Sequence, residues 1–266
     1  MNHLLREKAP LSDAGWQLLD DEARERLAPA LGARKLVDFS GPHGWEHSAS
    51  SLGRVKKLPG APTEAVTGLQ REVMPLVELR ADFALSREEL RDADRGAPDA
   101  DLGPLDEAAG EIAMAENIAV FSGWAGALPG IAERSAHEPV PLGPSADAYP
   151  RPVASGVEKL LCAGVSGPYG LALGREQYRR VVETAEMGGY PVLEHLREIL
   201  EGPIVWTPGI QGAVVVSLRG GDFLFESGQD LSIGYDSHDA DVVRLYLQES
   251  FSFRVATPEA AVTLTP

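Results

Sequence analysis

From Asp241 to Val255 the chain reads D-V-V-R-L-Y-L-Q-E-S-F-S-F-R-V. Val243, Leu245, Leu247, Phe251, Phe253 and Val255 fall at odd positions, and Arg244, Tyr246, Gln248, Ser250, Ser252 and Arg254 at even ones. A period of two belongs to a β-strand, because successive side chains point to opposite faces. At about 3.4 Å per residue this strand runs on the order of 40 Å, well beyond the usual five or six residues. It predicts the spine of an extended sheet with one apolar and one wet face. Glu249 interrupts the apolar side, as a β-bulge or as a carboxylate paired with an arginine from a neighbouring segment, and the ion pair is preferred over a catalytic role.

The rest of the chain mixes both element types and predicts an α+β fold. Ser12 caps a helix whose apolar side is Trp16, Leu19, Ala23 and Leu27, and Pro29 ends or kinks it. Lys35 to Phe39 reads as a short strand. From Ser40 to Gly68 the residues are small, polar and turn-forming, and alternation returns at Val73, Val77, Leu79, Ala81 and Phe83. Two extended arms around a turn-rich tip make a protruding hairpin, whose unpaired edges need covering by other chains. Ser86 and Glu89 stand at capping-box spacing before a helix closed by Gly96, and a second helix runs from Leu105 to Trp124. Residues 128–152 are proline-rich, predicting a connection without helix and a domain boundary. Beyond it, helices near Val153–Ala163 and Arg175–Thr184 and one started by Pro191 alternate with strands at Tyr169–Leu173, Pro203–Trp206 and Ala213–Leu218.

Composition limits the chemistry. A formal charge of −16 argues against binding a nucleic-acid backbone, since no basic stripe displaces phosphate counterions. Met1 to Pro10 has too short an apolar run for a signal peptide, and no stretch reaches the roughly 18 apolar residues of a membrane span, so a cytoplasmic protein is expected. The single cysteine, Cys162, excludes an intramolecular disulfide and is expected to be buried and inert. His43-Gly44-Trp45-Glu46-His47 matches the H-x-x-E-H pattern of zinc metallopeptidases, which needs both histidines on one face of a helix. Gly41, Pro42 and Gly44 are poor helix residues, so the histidines are not expected to share a face. His3, His137, His195 and His238 are dispersed, and no nucleophile elbow, phosphate loop or dinucleotide fingerprint is present.

The run Gly228-Gln229-Asp230-Leu231-Ser232-Ile233-Gly234-Tyr235, with Arg219-Gly220-Gly221-Asp222-Phe223 before it and the long strand after it, closely resembles the C-terminal part of the encapsulins. These linocin-like bacterial shell proteins share the major-capsid fold of tailed phages. Gly41, Pro42, Gly44, Trp45 and Glu46 match a further family motif, to which the two histidines do not belong. Arg34, Lys35 and Asp38 match another, with Ala33 in place of a glycine. The stretch 139–152 departs from the family.

The resemblance implies a tailed-phage major-capsid-like fold. Its platform domain would comprise 1–45, 73–134 and 221–266, its extended hairpin loop 46–72, and its axial domain 135–220. It further implies a non-enzymatic shell protomer without cofactor or bound metal, self-assembling into an icosahedral compartment of about sixty subunits. The implied cargo is a dye-decolourising peroxidase or a ferritin-like protein, with a wider role in oxidative-stress defence or iron storage. A groove formed by the N-terminal helix would take the cargo's C-terminal targeting peptide, at Leu27, Leu31, Arg34 and Asp38. The loop holding Glu183, Glu186, Met187, Gly188 and Gly189 would line a pore on the five-fold axis as a ring of carboxylates. Two other classes stay open: a metal-dependent hydrolase using His43, Glu46 and His47, and a secreted bacteriocin, suggested by the older family name.

Overall fold

Ser12 opens the first long helix, α1 (Asp13–Ala30), its hydroxyl accepting the Gly15 N–H at 2.9 Å while donating to Asp94. The computed structural model describes residues 3–186 and 188–266. Trp16, Leu19, Ala23 and Leu27 form the buried stripe of α1, and Pro29 lies in its last turn, one residue before the end. Ser12→Ala removes this cap and is expected to cost about 1 kcal/mol, seen as a lower denaturant midpoint at unchanged m-value.

The strand expected from Lys35 begins later. Ala33–Lys35 is a 3-10 turn and β1 covers only Asp38–Ser40. The buried side chain of Asn117 accepts the Ala33 N–H and donates to the Ala30 carbonyl, both at 2.9 Å, which folds this segment before it can extend. The hairpin follows as β2 (Ala49–Lys57) and β3 (Leu69–Pro75), paired antiparallel around a tip at 58–68. β4 (Val77–Ser86) leads into α2 (Arg87–Asp94), where the Ser86 hydroxyl accepts the Glu88 N–H. Glu89 turns away to accept the Asp101 N–H, so the capping-box spacing gives one cap and no reciprocal pair. α3 (Gly103–Phe121) is the long, alanine-rich helix, beginning and ending slightly before its predicted bounds.

The proline-rich stretch is more structured than its composition suggests. It holds α4 (Ile131–Arg134), β5 (Val140–Pro141) and the start of α5 (Pro150–Cys162). Pro150 and Pro152 are tolerated because the first helical turn has no use for their missing N–H groups. Leu142, Ala146 and Tyr149 are buried in the same core as the elements that follow. Cys162 is exposed, contrary to expectation: Leu160 is the last inward residue of α5, and Leu161 (59% exposed) and Cys162 emerge from its final turn.

β6 (Tyr169–Leu173), α6 (Arg175–Glu183), α7 (Val192–Leu200), β7 (Ile204–Trp206) and β8 (Ala213–Ser217) agree with the sequence reading to within a residue or two. β9 (Phe223–Ser227), β10 (Ser232–His238), β11 (Val242–Val255) and β12 (Ala261–Thr265) complete the chain. One sheet has the order β1-β9-β11-β10 with β4 also paired to β11, and a second has the order β5-β12-β8-β6-β7. The final segment therefore divides: 221–255 builds the first sheet, whereas β12 pairs with β8 and β5 in the second.

β11 is the predicted spine, a single 14-residue strand whose register with β4 is unbroken from Val242 to Phe251. Its expected wet face is covered over most of its length: Tyr246, Gln248, Ser250 and Ser252 are all buried. The Ser250 hydroxyl accepts the Gln229 N–H, Ser252 bonds Ser50 of the hairpin, and the Arg80 guanidinium stacks 3.8 Å from the Tyr246 ring centroid. The glycines of the octapeptide serve the same close packing, since a Cβ on Gly228 would meet Leu76 and Ser250, and one on Gly234 the Tyr246 ring.

Two hydrophobic cores share this strand. Val243, Leu245 and Leu247 pack with α1 and α3 in one, while Phe251 and Phe253 join the second sheet and its helices in the other. Glu249, the break in the alternation, lies between them. On α3 the sequence passes from Ala113 in the first core to Ala119 in the second across Glu116 and Asn117, both buried. A polar boundary thus crosses the helix and the strand at the same level.

Candidate functional site

At the end of α1 a groove of about 680 Å³ opens between the helix and β10. Ala23, Leu27, Ala28 and Leu31 line it from the helix side, and Leu231, Ile233 and Leu247 from the sheet. Helical spacing sets the first group on one stripe, and the end of the octapeptide supplies Leu231 and Ile233. Two ion pairs stand in its walls. Arg6, in a 3-10 turn at Arg6–Lys8, bonds Asp20 through both terminal nitrogens, donates to the Ile233 carbonyl at 2.8 Å and stacks over Trp16. Arg34 bonds Asp230 at 2.6 Å.

Arg34 is the most heavily engaged charge in the molecule's polar boundary. Its three nitrogens reach Glu116 at 2.7 Å, Asp230 at 2.6 Å and Glu249 at 2.7 Å. Glu249 is therefore paired with an arginine from another segment, and no bulge occurs there. Burial works against the guanidinium charge, yet Glu116, Glu249 and Asp230 raise its pKa above the ordinary arginine value. Burial also pushes both glutamates up; for Glu249 the neighbouring Glu116 adds to the rise, and Arg34 opposes it in each.

Of the four residues expected in a peptide groove, Leu27, Leu31 and Arg34 do line one cavity. Asp38 does not. It sits on β1, paired with Leu224 of β9, and its carboxylate accepts the Gly221 N–H at 2.7 Å, tying the Arg219–Phe223 turn to the first strand. Sequence reasoning missed Arg6, Asp20, Asp230, Leu231 and Ile233. The octapeptide was legible as a motif, but nothing local connects it to a helix some two hundred residues earlier.

The 183–190 loop carries its carboxylates differently from one another. Glu183 ends α6 and is exposed. The Glu186 carboxylate is held by His195 Nδ1 at 2.6 Å, and its backbone N–H bonds the Tyr190 carbonyl. Gly188 and Gly189 take φ of +114° and +82°, the left-handed turn that lets the chain return to α7. Met187 lies outside the described residues.

His43 and His47 lie on a loop and share no helix face, although their ring centroids are 4.9 Å apart. His47 Nε2 is committed to Glu226 at 2.5 Å, Trp45 stacks on His3, and Glu46 is exposed. Burial would raise the Glu226 carboxyl, but His47, Ser50 and the nearby His43 hold it below its ordinary value. Among the described residues no group of three or more His, Cys, Asp or Glu side chains is arranged to hold a metal ion. The constellation is an anchor at the base of the hairpin.

The family model for the encapsulating protein for peroxidase (Linocin M18) matches residues 1–252. The chain belongs to the encapsulin shell-protein family. It is 48% identical to the type 1 encapsulin shell protein of Rhodospirillum rubrum over 99% of this chain and 96% of that one. It is 43% identical to that of Mycolicibacterium paratuberculosis over the full length of both. Among solved structures, the virus-like particle of Pyrococcus furiosus superposes with a TM-score of 0.66 over 94% of this chain and 98% of that one, at 18% identity. That likeness shows the fold, shared with phage-type capsids: a gene-transfer-agent capsid superposes with a TM-score of 0.55. An encapsulin is a structural shell protein, not an enzyme. Among the described residues no helix is long and apolar enough to cross a membrane.

Proposed function

We propose that this encapsulin closes into an icosahedral shell of about sixty copies in the cytoplasm and carries a cargo enzyme inside, held by its C-terminal peptide in the α1–β10 groove. The observation that carries the assembly is the hairpin. Val55, Val66, Leu69 and Val73 are each more than 50% exposed along it. A two-stranded ribbon with an open apolar surface has no stable place on a monomer in water; neighbouring copies supply its cover. The groove supports the cargo reading, with an aliphatic lining suited to a short apolar peptide and fixed charges to set its register. The cargo is a peroxidase, consistent with the family's description, or a ferritin-like protein. Glu183, exposed at the end of α6, supplies the carboxylate ring of a five-fold pore, which would favour small cations.

Light scattering after size exclusion, followed by negative-stain imaging, tests the assembly: hollow particles of megadalton mass are expected, and a stable monomer or dimer across salt and pH would overturn it. For the groove, Ala28→Glu changes an exposed helical position. Particle mass should stay the same while co-purified cargo falls about tenfold or more. Undiminished cargo in that variant would remove the groove from the loading step.

A further inference from the structure

Glu116 of α3 and Glu249 of β11 are 0% and 1% exposed and bond the same guanidinium, each at 2.7 Å, through its neighbouring Nε and Nη2 nitrogens. Each gives Oε2 to Arg34 and leaves Oε1 buried without a donor. A buried acceptor without a partner is costly, and two such acceptors side by side cost more as two anions. One proton placed between them satisfies both: the protonated carboxyl donates and the ionised one accepts. The other charged group facing this pair is Asp230, from the loop before β10, which adds a third carboxylate against the single Arg34. Asn117, beside Glu116, is spent on the backbone at Ala30, Ala33 and Pro208. With all three carboxylates ionised the cluster would carry a net charge of about −2 at the boundary of two hydrophobic cores, against about −1 with the proton in place.

We propose that Glu116 and Glu249 share one proton at neutral pH, forming an acid–carboxylate bridge that locks the two cores together at Arg34 and opens on the alkaline side. The bridge is a pH-sensitive device inside the protomer, and its counter-ion Arg34 also stands in the wall of the α1–β10 groove. A carboxyl whose folded pKa lies above its unfolded value contributes stability that is fully present below the unfolded value and lost as pH rises through the folded one. The protein should therefore weaken from the ordinary carboxylate range upward, and Glu249→Gln, which keeps the shape and a donor but removes the titration, should flatten that decline.

Infrared spectroscopy of the purified, assembled protein in D₂O tests the proton directly. A protonated carboxylic-acid carbonyl band is expected at neutral pH in the unaltered chain, fading as pH is raised. It should be absent at neutral pH in both Glu116→Gln and Glu249→Gln, since each leaves a single carboxylate facing Arg34 across the bridge. Absence of the band in the unaltered chain, or its survival in either variant, would overturn the proposal. If either variant fails to fold, the alkaline fading of the band in the unaltered chain still decides it, a band that persists to the point of unfolding counting against a titrating bridge.

Discussion

Arg34→Ala is expected to destabilise the protein by about 3–5 kcal/mol, the usual cost of removing one partner from a buried ion pair. The Arg34 side chain is 15% exposed, so solvent screening relieves little of the loss. Its removal strands Glu116 and Glu249 in a site they cannot leave, and both carboxyls move further toward the neutral form. The sign of the pH dependence follows. The deficit is largest at neutral and alkaline pH and shrinks below the ordinary carboxylate range, where protons replace the missing cation. Arg34→Lys should recover only part of the loss, since one ammonium cannot meet three carboxylates held in a planar fork. Denaturant midpoints at fixed protein concentration, measured near pH 5 and pH 8, check this. A variant as stable as the parent at the higher pH would show that the ion cluster carries no net stabilisation.

The second large effect is expected at Phe251. Its ring is fully buried and stacks on Phe225 at 4.7 Å, which in turn stacks on Phe39 at 5.3 Å, so three strands meet through aromatic contacts. Phe251→Ala should cost about 3–5 kcal/mol, because the surrounding sheet cannot collapse into the space. Phe251→Leu should cost closer to 1 kcal/mol. Hydrogen exchange provides the local check: β9 amides should lose protection in the alanine variant, with α1 amides least affected. Uniform loss across the chain would mean that the two cores unfold as one unit and that the polar boundary is no energetic division.

These two sites also separate what was legible in the chain from what was not. The alternation from Val243 to Val255 identified β11 to within a residue, because a strand's period is a local property of backbone geometry. The helix stripes, the Ser12 cap and the hairpin were readable for the same reason: each depends on residues a few positions apart. Leu27 and Leu31 line one cavity because they share a helical face, and Arg34 follows them closely.

Other features required distant segments to meet. The even face of β11 looked wet because its residues are polar, but Ser250 and Ser252 are buried against Gly228, Gln229 and Ser50, and a polar side chain is buried at little cost once its bond is made. Asp38 looked like a groove residue by its position in a motif, yet it binds a turn formed near Gly221. Cys162 was expected inside because its neighbours are apolar, but it stands two residues past Leu160, the last inward position, on the far side of the helix. Glu249 was recognised as a break in the pattern with an arginine as its expected partner. Which arginine, and that Glu116 would stand beside it, depended on α3 crossing β11 at the junction of two cores. Periodicity decides which face a side chain joins; only the packing of one element on another decides what that face meets.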